Sequence, residues 1–311
     1  MGHSIFRIIK YPIQMKIIKG AFLFGILGFL IWYFFIKEYD YQINFETKTT
    51  IGTVNQSIKS WNSSLENPQP IQQINEGELL QTIRRNDSTY TYLWKLKNVN
   101  DSTVKVSAFV KEEAHTFKNR VLIPFSEPLF EKTAKQTTKA FLQSLQNHLK
   151  EIRIKIEGIE DSPSSYAAYV SVQCLQIEKA KGMMANFSLL SDFIAENKLE
   201  ANGRPFLEIT SWNREKDSVS YHFCFPFKKT DSIKGNVLIS IKEFPSKKSI
   251  KAEYNGNYIT SDRAWYTLEK YAKNKNLEVN MLPIEVFHNN PNMGGDELQW
   301  KTDVYLPLKE E

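Results

Sequence analysis

The chain has 311 residues, of which 41% are hydrophobic and 24% are charged, a composition that excludes an intrinsically disordered protein and has room for about two domains. Its formal net charge is +5, but Arg7, Lys10, Lys16 and Lys19 near the N-terminus supply most of that excess. The rest of the chain is nearly neutral, which argues against a nucleic-acid-binding surface.

An uncharged apolar segment, GAFLFGILGFLIWYFFI, begins at Gly20. It has about the minimum length that crosses the hydrocarbon core of a bilayer, and Trp32 and Tyr33 lie where an aromatic belt is expected. We therefore predict a cytoplasmic basic tail over residues 1–19 and a single-pass signal anchor over residues 20–37, with everything that follows on the extracytoplasmic, or periplasmic, side. The alternatives are a buried core helix and a cleaved signal peptide, although no small-residue cleavage site follows the segment.

Residues 38–157 are predicted to form a first soluble domain. A strand over residues 41–49 is followed by a short helix over about 51–61, by several strands, and by a long helix over about 131–157. Two of the strands, TYTYLWKLK and STVKVSAFV, are separated by NVND, which has the chemistry of a hairpin turn.

A long C-terminal helix gripped by a curved antiparallel sheet would bury its apolar stripe. This order of elements resembles the START-like helix-grip domains, also called the SRPBCC or polyketide cyclase-like superfamily. The resemblance implies an apolar cavity; the alternative is that the aromatic residues Trp61, Trp94 and Phe109 simply form the core.

The segment GIEDSPSS, residues 158–165, has the proline and serine content of a linker. Beyond it, LEANGRP, beginning at Leu199, matches LEVNMLP, beginning at Leu277, and each copy leads to a similar closing strand. We predict an α+β fold in which this part of the chain is a pseudo-two-fold duplicated domain with a central cleft between its halves. The repeat aligns Glu285 with an apolar residue, Leu207, so the carboxylate is not a device that both halves share.

Four elements of the second region carry a more specific resemblance. They are YNGNY over residues 254–258, a helix over 262–274, LPIEVFHNNP over 282–291 and TDVYLPL over 302–308. Together they resemble the GyrI-like small-molecule-binding domain, also known as the bacterial transcription activator effector-binding domain, over residues 166–311. The resemblance implies that Glu285, in a P-x-E-x-Y/F motif, lies in the cleft and contacts cationic or polar aromatic ligands. Phe287 replaces the usual tyrosine, which keeps the ring and removes its hydroxyl.

Physical chemistry supports a ligand site at Glu285, because an unpaired carboxylate among aromatic rings is costly to desolvate until a cation or a donor arrives. The rings expected nearest to it are Tyr305, Tyr254, Tyr258 and Trp265. The alternative for each ring is packing between helix and sheet, and for Glu285 it is a salt bridge to a lysine or a solvated position.

The predicted function is that of a membrane-anchored protein that senses, sequesters or detoxifies an amphipathic or cationic aromatic ligand. We predict no catalytic residue, cofactor or metal site, since the chain has no GxSxG and no HExxH motif. A hydrolase of strained electrophiles that uses the same glutamate is one alternative. A non-catalytic envelope scaffold is the other, and it would have Glu285 salt-bridged or exposed and the groove filled with side chains. A DNA-binding role is not expected, although many relatives carry a helix-turn-helix.

Overall fold

The N-terminal segment is a long apolar helix in the computed structural model, which describes residues 10–85, 88–230 and 233–309. Helix α1 (Lys10–Ile31) continues as a π-helical turn, Trp32–Ile36. Residues Ile17–Ile36 are long and apolar enough to cross a membrane, with a mean hydropathy of 2.0, a property that signal sequences share. Residues 1–9 of the predicted basic tail lie outside the described residues.

The first region after the apolar helix is a five-stranded antiparallel sheet with helices, in the strand order β1-β5-β4-β3-β2. Its elements are β1 (Tyr41–Thr47), α2 (Ile51–Ser63), β2 (Gln72–Asn75), β3 (Glu78–Arg85), β4 (Ser88–Asn100), β5 (Thr103–Glu112), α3 (Thr116–Leu122) and α4 (Leu129–Lys150).

Helix α4 lies against this sheet through its apolar stripe. The ring of Phe141 is 5.0 Å from that of Trp94 and 5.5 Å from that of Trp61, and all three side chains are buried. Here these aromatic residues belong to a packed core. The long helix on an antiparallel sheet has the predicted order of elements, and the START-like assignment itself stays a prediction.

The predicted end of the long helix, at residue 157, was wrong. Helix α4 stops at Lys150, and a strand, β6 (Arg153–Asp161), follows at once. Ile152 and Ile156 fit a helical spacing of four, but Ile154 between them makes the segment alternate with a period of two. That alternation suits a strand with one packed face, and these isoleucines pack against the core of the second region.

The second region is built on an eight-stranded antiparallel sheet in the order β10-β7-β9-β8-β12-β13-β11-β6. After β6 its elements are β7 (Ser165–Leu175), α5 (Lys179–Glu196), β8 (Phe206–Asn213), β9 (Ser218–Pro226), β10 (Ser240–Phe244), β11 (Lys248–Asn255), α6 (Arg263–Asn274), β12 (Ile284–Phe287) and β13 (Lys301–Pro307). The predicted linker, residues 158–165, therefore comprises the end of β6, a short connection and the first residue of β7.

The second sheet is consistent with the predicted duplication in several details. Lys198 and Asn276, which are equivalent in the repeat, both have a φ of 53°. The backbone N–H of Asn202 donates to Pro226, as that of Asn280 does to Pro307. Each half also exchanges its first strand with the other, because β6 pairs with β11 and β10 pairs with β7.

Helix α2 of the first region packs on helix α6 of the second. At Gly52 the backbone lies so close to the ring of Tyr266 that an added Cβ would be 2.1 Å from the ring carbon Cε1. The Lys59 ammonium is 2.7 Å from the carboxylate of Asp217. The two regions are therefore joined by a tight steric contact and a nearly buried ion pair.

Candidate functional site

The candidate site is centred on Glu285, in the middle of the eight-stranded sheet. Glu285 pairs with Leu207 across the contact between β12 and β8, which is where the two repeats meet. Its side chain and that of Phe287 face the helices, whereas Ile284 belongs to a separate cluster on the other face. The carboxylate of Glu285 and the ring of Phe287 therefore lie on the same face of this strand.

Three side-chain groups donate hydrogen bonds to the Glu285 carboxylate. Lys179 Nζ is 2.7 Å from Oε2 and Ser261 Oγ is 2.8 Å from the same oxygen, while the indole Nε1 of Trp265 is 2.7 Å from Oε1. Both side chains of the Lys179–Glu285 ion pair are 0% exposed. The carboxylate is thus fully sequestered and already has a cation beside it.

Two of these donors lie at or next to the start of a helix that packs on the sheet. Lys179 is the first residue of α5, and its carbonyl accepts a hydrogen bond of 2.7 Å from the buried Tyr221 hydroxyl. Ser261 lies between a 3₁₀ turn, Tyr258–Thr260, and the start of α6. The backbones of both donors are therefore held at or next to the start of a helix.

Burial and charge act in opposite directions on this carboxyl group. Burial raises the pKa of Glu285, while the Lys179 ammonium and the Ser261 hydroxyl beside it favour the ionised form. The ionised form of Glu285 therefore depends on these donors, and Lys179 contributes the only full positive charge among the three.

Aromatic rings surround the ion pair on its helix side. Lys179 Nζ is 5.4 Å from the centre of the Trp265 ring, within the range of a cation-π contact. The ring of Trp212 packs against that of Trp265 at 5.1 Å. A carboxylate and aromatic ring faces are the groups that recognise an organic cation. Both are present here, and Lys179 is the cation beside them.

Three more predicted rings belong to the core cluster on the helix side of the sheet. Phe287 and Tyr258 are buried with ring centres 4.9 Å apart, and the Tyr258 hydroxyl donates to the Lys301 carbonyl at 3.0 Å. Tyr254 is fully buried, and its hydroxyl donates to the Asn257 carbonyl at 2.9 Å. These three side chains are therefore part of the packed core.

Tyr305 lies away from the other predicted site residues. It pairs with Ile284 across β12 and β13 and belongs to the cluster on the opposite face of the sheet, with Phe206. Trp265, Tyr258 and Phe287 are thus on the side of Glu285, and Tyr305 is not.

Three residues of the site were not predicted from the sequence: Lys179, Ser261 and Trp212. Lys179 is one of many lysines, and nothing in its local pattern separates it from solvated ones. Ser261 and Trp212 come from other elements, and only the fold brings them near Glu285.

An outer layer of polar contacts links this site to helix α2. Gln176 donates to Asp262 at 2.6 Å and accepts from the Trp212 indole at 2.9 Å. Its amide is also 2.8 Å from the hydroxyl of Tyr266, the residue whose ring contacts Gly52. Helix α2 therefore packs on the layer that encloses the Glu285 site.

Comparison with known proteins finds a match to one protein family in the second region. Residues 158–309 match the model of the GyrI-like small molecule binding domain. No curated protein matches the sequence.

Several solved structures are similar at low identity. The EcmrR C-terminal domain is 14% identical with a TM-score of 0.38, covering 51% of this chain and 99% of that chain. SAV2435 bound to tetraphenylphosphonium is 13% identical with a TM-score of 0.35, covering 50% and 94%. A hydrolase from Listeria innocua is 9% identical with a TM-score of 0.34, covering 49% and 92%. At these values the similarities establish no property of this chain.

Proposed function

We propose that residues 158–309, which match the GyrI-like small molecule binding domain, bind a small organic ligand at Glu285, and that α1 anchors the protein in a membrane. The observation that carries the proposal is the buried carboxylate with an ammonium at 2.7 Å and aromatic rings around it. A buried carboxylate is tolerated only with a charge partner and hydrogen bonds. A ligand that supplies the same interactions takes the place of Lys179.

The ligand class follows from what Lys179 now provides. The ligand needs a cationic or hydrogen-donating group for Glu285 and aromatic or apolar bulk for the rings of Trp265, Phe287 and Tyr258. Because Glu285 is 0% exposed, the ligand enters only when the Lys179 side chain swings away. Binding is therefore a competition between an internal and an external cation, and weakening the internal one strengthens binding.

The test is calorimetric titration of the purified full-length chain, in detergent, with tetraphenylphosphonium as a bulky aromatic cation. Glu285→Gln should abolish binding, and Lys179→Met should tighten it at a pH high enough to ionise Glu285 in that variant, because the internal competitor is gone. Glu208→Gln is the matched control, since Glu208 pairs with Ile284 on the neighbouring strand but holds lysines on the other face of the sheet. The control should bind as the wild type does. A ligand at roughly 100 times its Kd also stabilises the fold by about 2.7 kcal/mol, which thermal unfolding resolves.

A non-catalytic scaffold is the second candidate, and the Lys179–Glu285 ion pair favours it. The pair is the arrangement expected of a groove closed by its own side chains. If neither the wild type nor Lys179→Met binds any member of a broad set of cationic and neutral aromatic compounds, the scaffold is the better description.

The anchor sets the location of the site. We propose that α1 crosses the membrane with its basic end in the cytoplasm, so that the two soluble regions lie outside it and meet amphipathic compounds near the bilayer. Protease added to intact spheroplasts should degrade the soluble regions. If these regions are protected from the protease until the cells are lysed, the protein has the opposite orientation in the membrane.

A further inference from the structure

An exposed apolar surface lies on α3, on the segment that follows it and at the first residue of α4. Its members, which we call the apolar platform, are Phe117, Val121, Phe125 and Leu129. Phe125 is 88% exposed, Leu129 73% and Phe117 58%. Bulky apolar side chains that cluster with such exposure usually mark a surface that contacts something.

The platform adjoins the end of the apolar span. The ring of Phe117 is 5.5 Å from that of Phe34 and 6.5 Å from that of Phe35. The Tyr33 hydroxyl donates to the carbonyl of Arg120 at 3.1 Å. Helix α3 therefore runs beside residues that belong to the candidate span Ile17–Ile36, at the same level along its axis.

Arg120 holds this arrangement rigidly. Its guanidinium donates to the carbonyl of Phe34 at 2.9 Å and to that of Lys37, and its Nε donates to the carboxylate of Asp40 at 2.6 Å. The Asp40 backbone N–H in turn donates to the Val110 carbonyl of β5 at 2.9 Å. A cation at the carbonyl end of a helix satisfies groups that have no intrahelical partner, and here it also ties that end to the sheet.

We propose that the apolar platform inserts into the interfacial region of the bilayer from which α1 emerges. The rigid link is the reason: if residues 33–36 lie at the membrane boundary, Phe117 and its neighbours lie at that depth too. Aromatic and aliphatic side chains at that depth gain from leaving water. The soluble regions are then seated on the membrane in a fixed orientation instead of swinging on a flexible tether.

This inference rests on the proposed anchoring, and the experiment separates the two. The full-length chain carries the photoreactive residue benzoylphenylalanine at a single position and is reconstituted into phosphatidylcholine vesicles. Phe117 and Phe125 test the platform, and Phe35 tests the anchor. Val237 and Ile259, which are exposed elsewhere on the protein, are the matched controls. After irradiation, lipid adducts are counted by intact-protein mass spectrometry.

We expect lipid adducts at Phe35, Phe117 and Phe125 and only background at the two controls. Adducts at Phe35 with background levels at both platform positions would overturn the inference and leave the anchor intact. Background at Phe35 as well would overturn the anchoring itself. Crosslinks from Phe117 or Phe125 to a second protein copy in place of lipid would show a protein interface and would also refute the proposal.

Discussion

Replacing Lys179 by methionine should destabilise the second region strongly. Methionine approximates the volume of the lysine stem but leaves Glu285 fully buried without its cation. Removing one partner of a buried ion pair typically costs about 3–5 kcal/mol, a large fraction of the roughly 5–15 kcal/mol that stabilises a domain. Denaturant unfolding of the full-length chain, followed by tryptophan fluorescence, measures the loss, and Trp265 and Trp212 report from beside the pair.

A second substitution should rescue most of that loss. In the Lys179→Met, Glu285→Gln double variant, the glutamine oxygen accepts from the Trp265 indole and its amide donates to Ser261. The Ser261 hydroxyl proton then turns to the Tyr258 carbonyl, which is 3.0 Å from its oxygen. Neither position 179 nor position 285 then carries a charge, so the double variant should be far less destabilised than Lys179→Met. Lys229→Met is the control, because its ion pair with Glu243 is exposed and is worth about 0–1 kcal/mol.

The single variant should also gain a specific pH dependence. Burial raises the pKa of Glu285, and without Lys179 it rises further, so the folded variant keeps a proton that the unfolded chain releases. Its stability deficit should therefore grow as the pH rises above 4.5, the ordinary pKa of the carboxyl group. A loss below about 1 kcal/mol, a double variant as unstable as the single one, or a deficit independent of pH would each refute this account of the site.

Three further outcomes are expected. Gly52→Val should force α2 away from Tyr266, because even a Cβ would be 2.1 Å from the ring, and faster hydrogen exchange in both helices would show it, whereas unchanged exchange would contradict it. Burial lowers the pKa of His148 to about 4, and the nearby Arg263 acts in the same direction. The folded state therefore resists protonation, and the free energy of unfolding should fall by roughly 2 kcal/mol from pH 7 to pH 5. His148→Gln should remove that part of the pH dependence in unfolding titrations, and an unaltered profile would contradict the assignment. Arg120→Met should cost about 3–5 kcal/mol by leaving the Asp40 carboxylate buried without its cation, and unfolding midpoints equal to the wild type would contradict that role.

The position of Glu285 follows from local patterns. The alternation along IEVF places the carboxylate and Phe287 on one face of a strand, and the repeat places Leu207 at the equivalent position in the other half. In the structure these two residues pair directly. Period-two alternation and internal symmetry need only a few consecutive residues, so they can be recognised in a single sequence.

The partners of Glu285 depend on long-range geometry. Lys179 reaches it from the start of a helix in the other repeat, and no local rule distinguishes this lysine. Tyr305 was expected on the side of Glu285, yet its face depends on which residue of β12 it opposes, and that register is a tertiary property. The end of α4 was missed because Ile152 and Ile156 satisfy both the helical and the strand period, so only packing decides between them.

The exchange of edge strands between the repeats has a consequence for the folding of the nascent chain. Strand β6, which directly follows α4, pairs only with β11 in the described sheet, so its partner leaves the ribosome long after it does. Pairings between distant segments are slow to form, and unpaired strand edges are prone to aggregate. Until residues 248–255 have been synthesised, β6 lacks this partner, so the nascent chain carries an open β-edge.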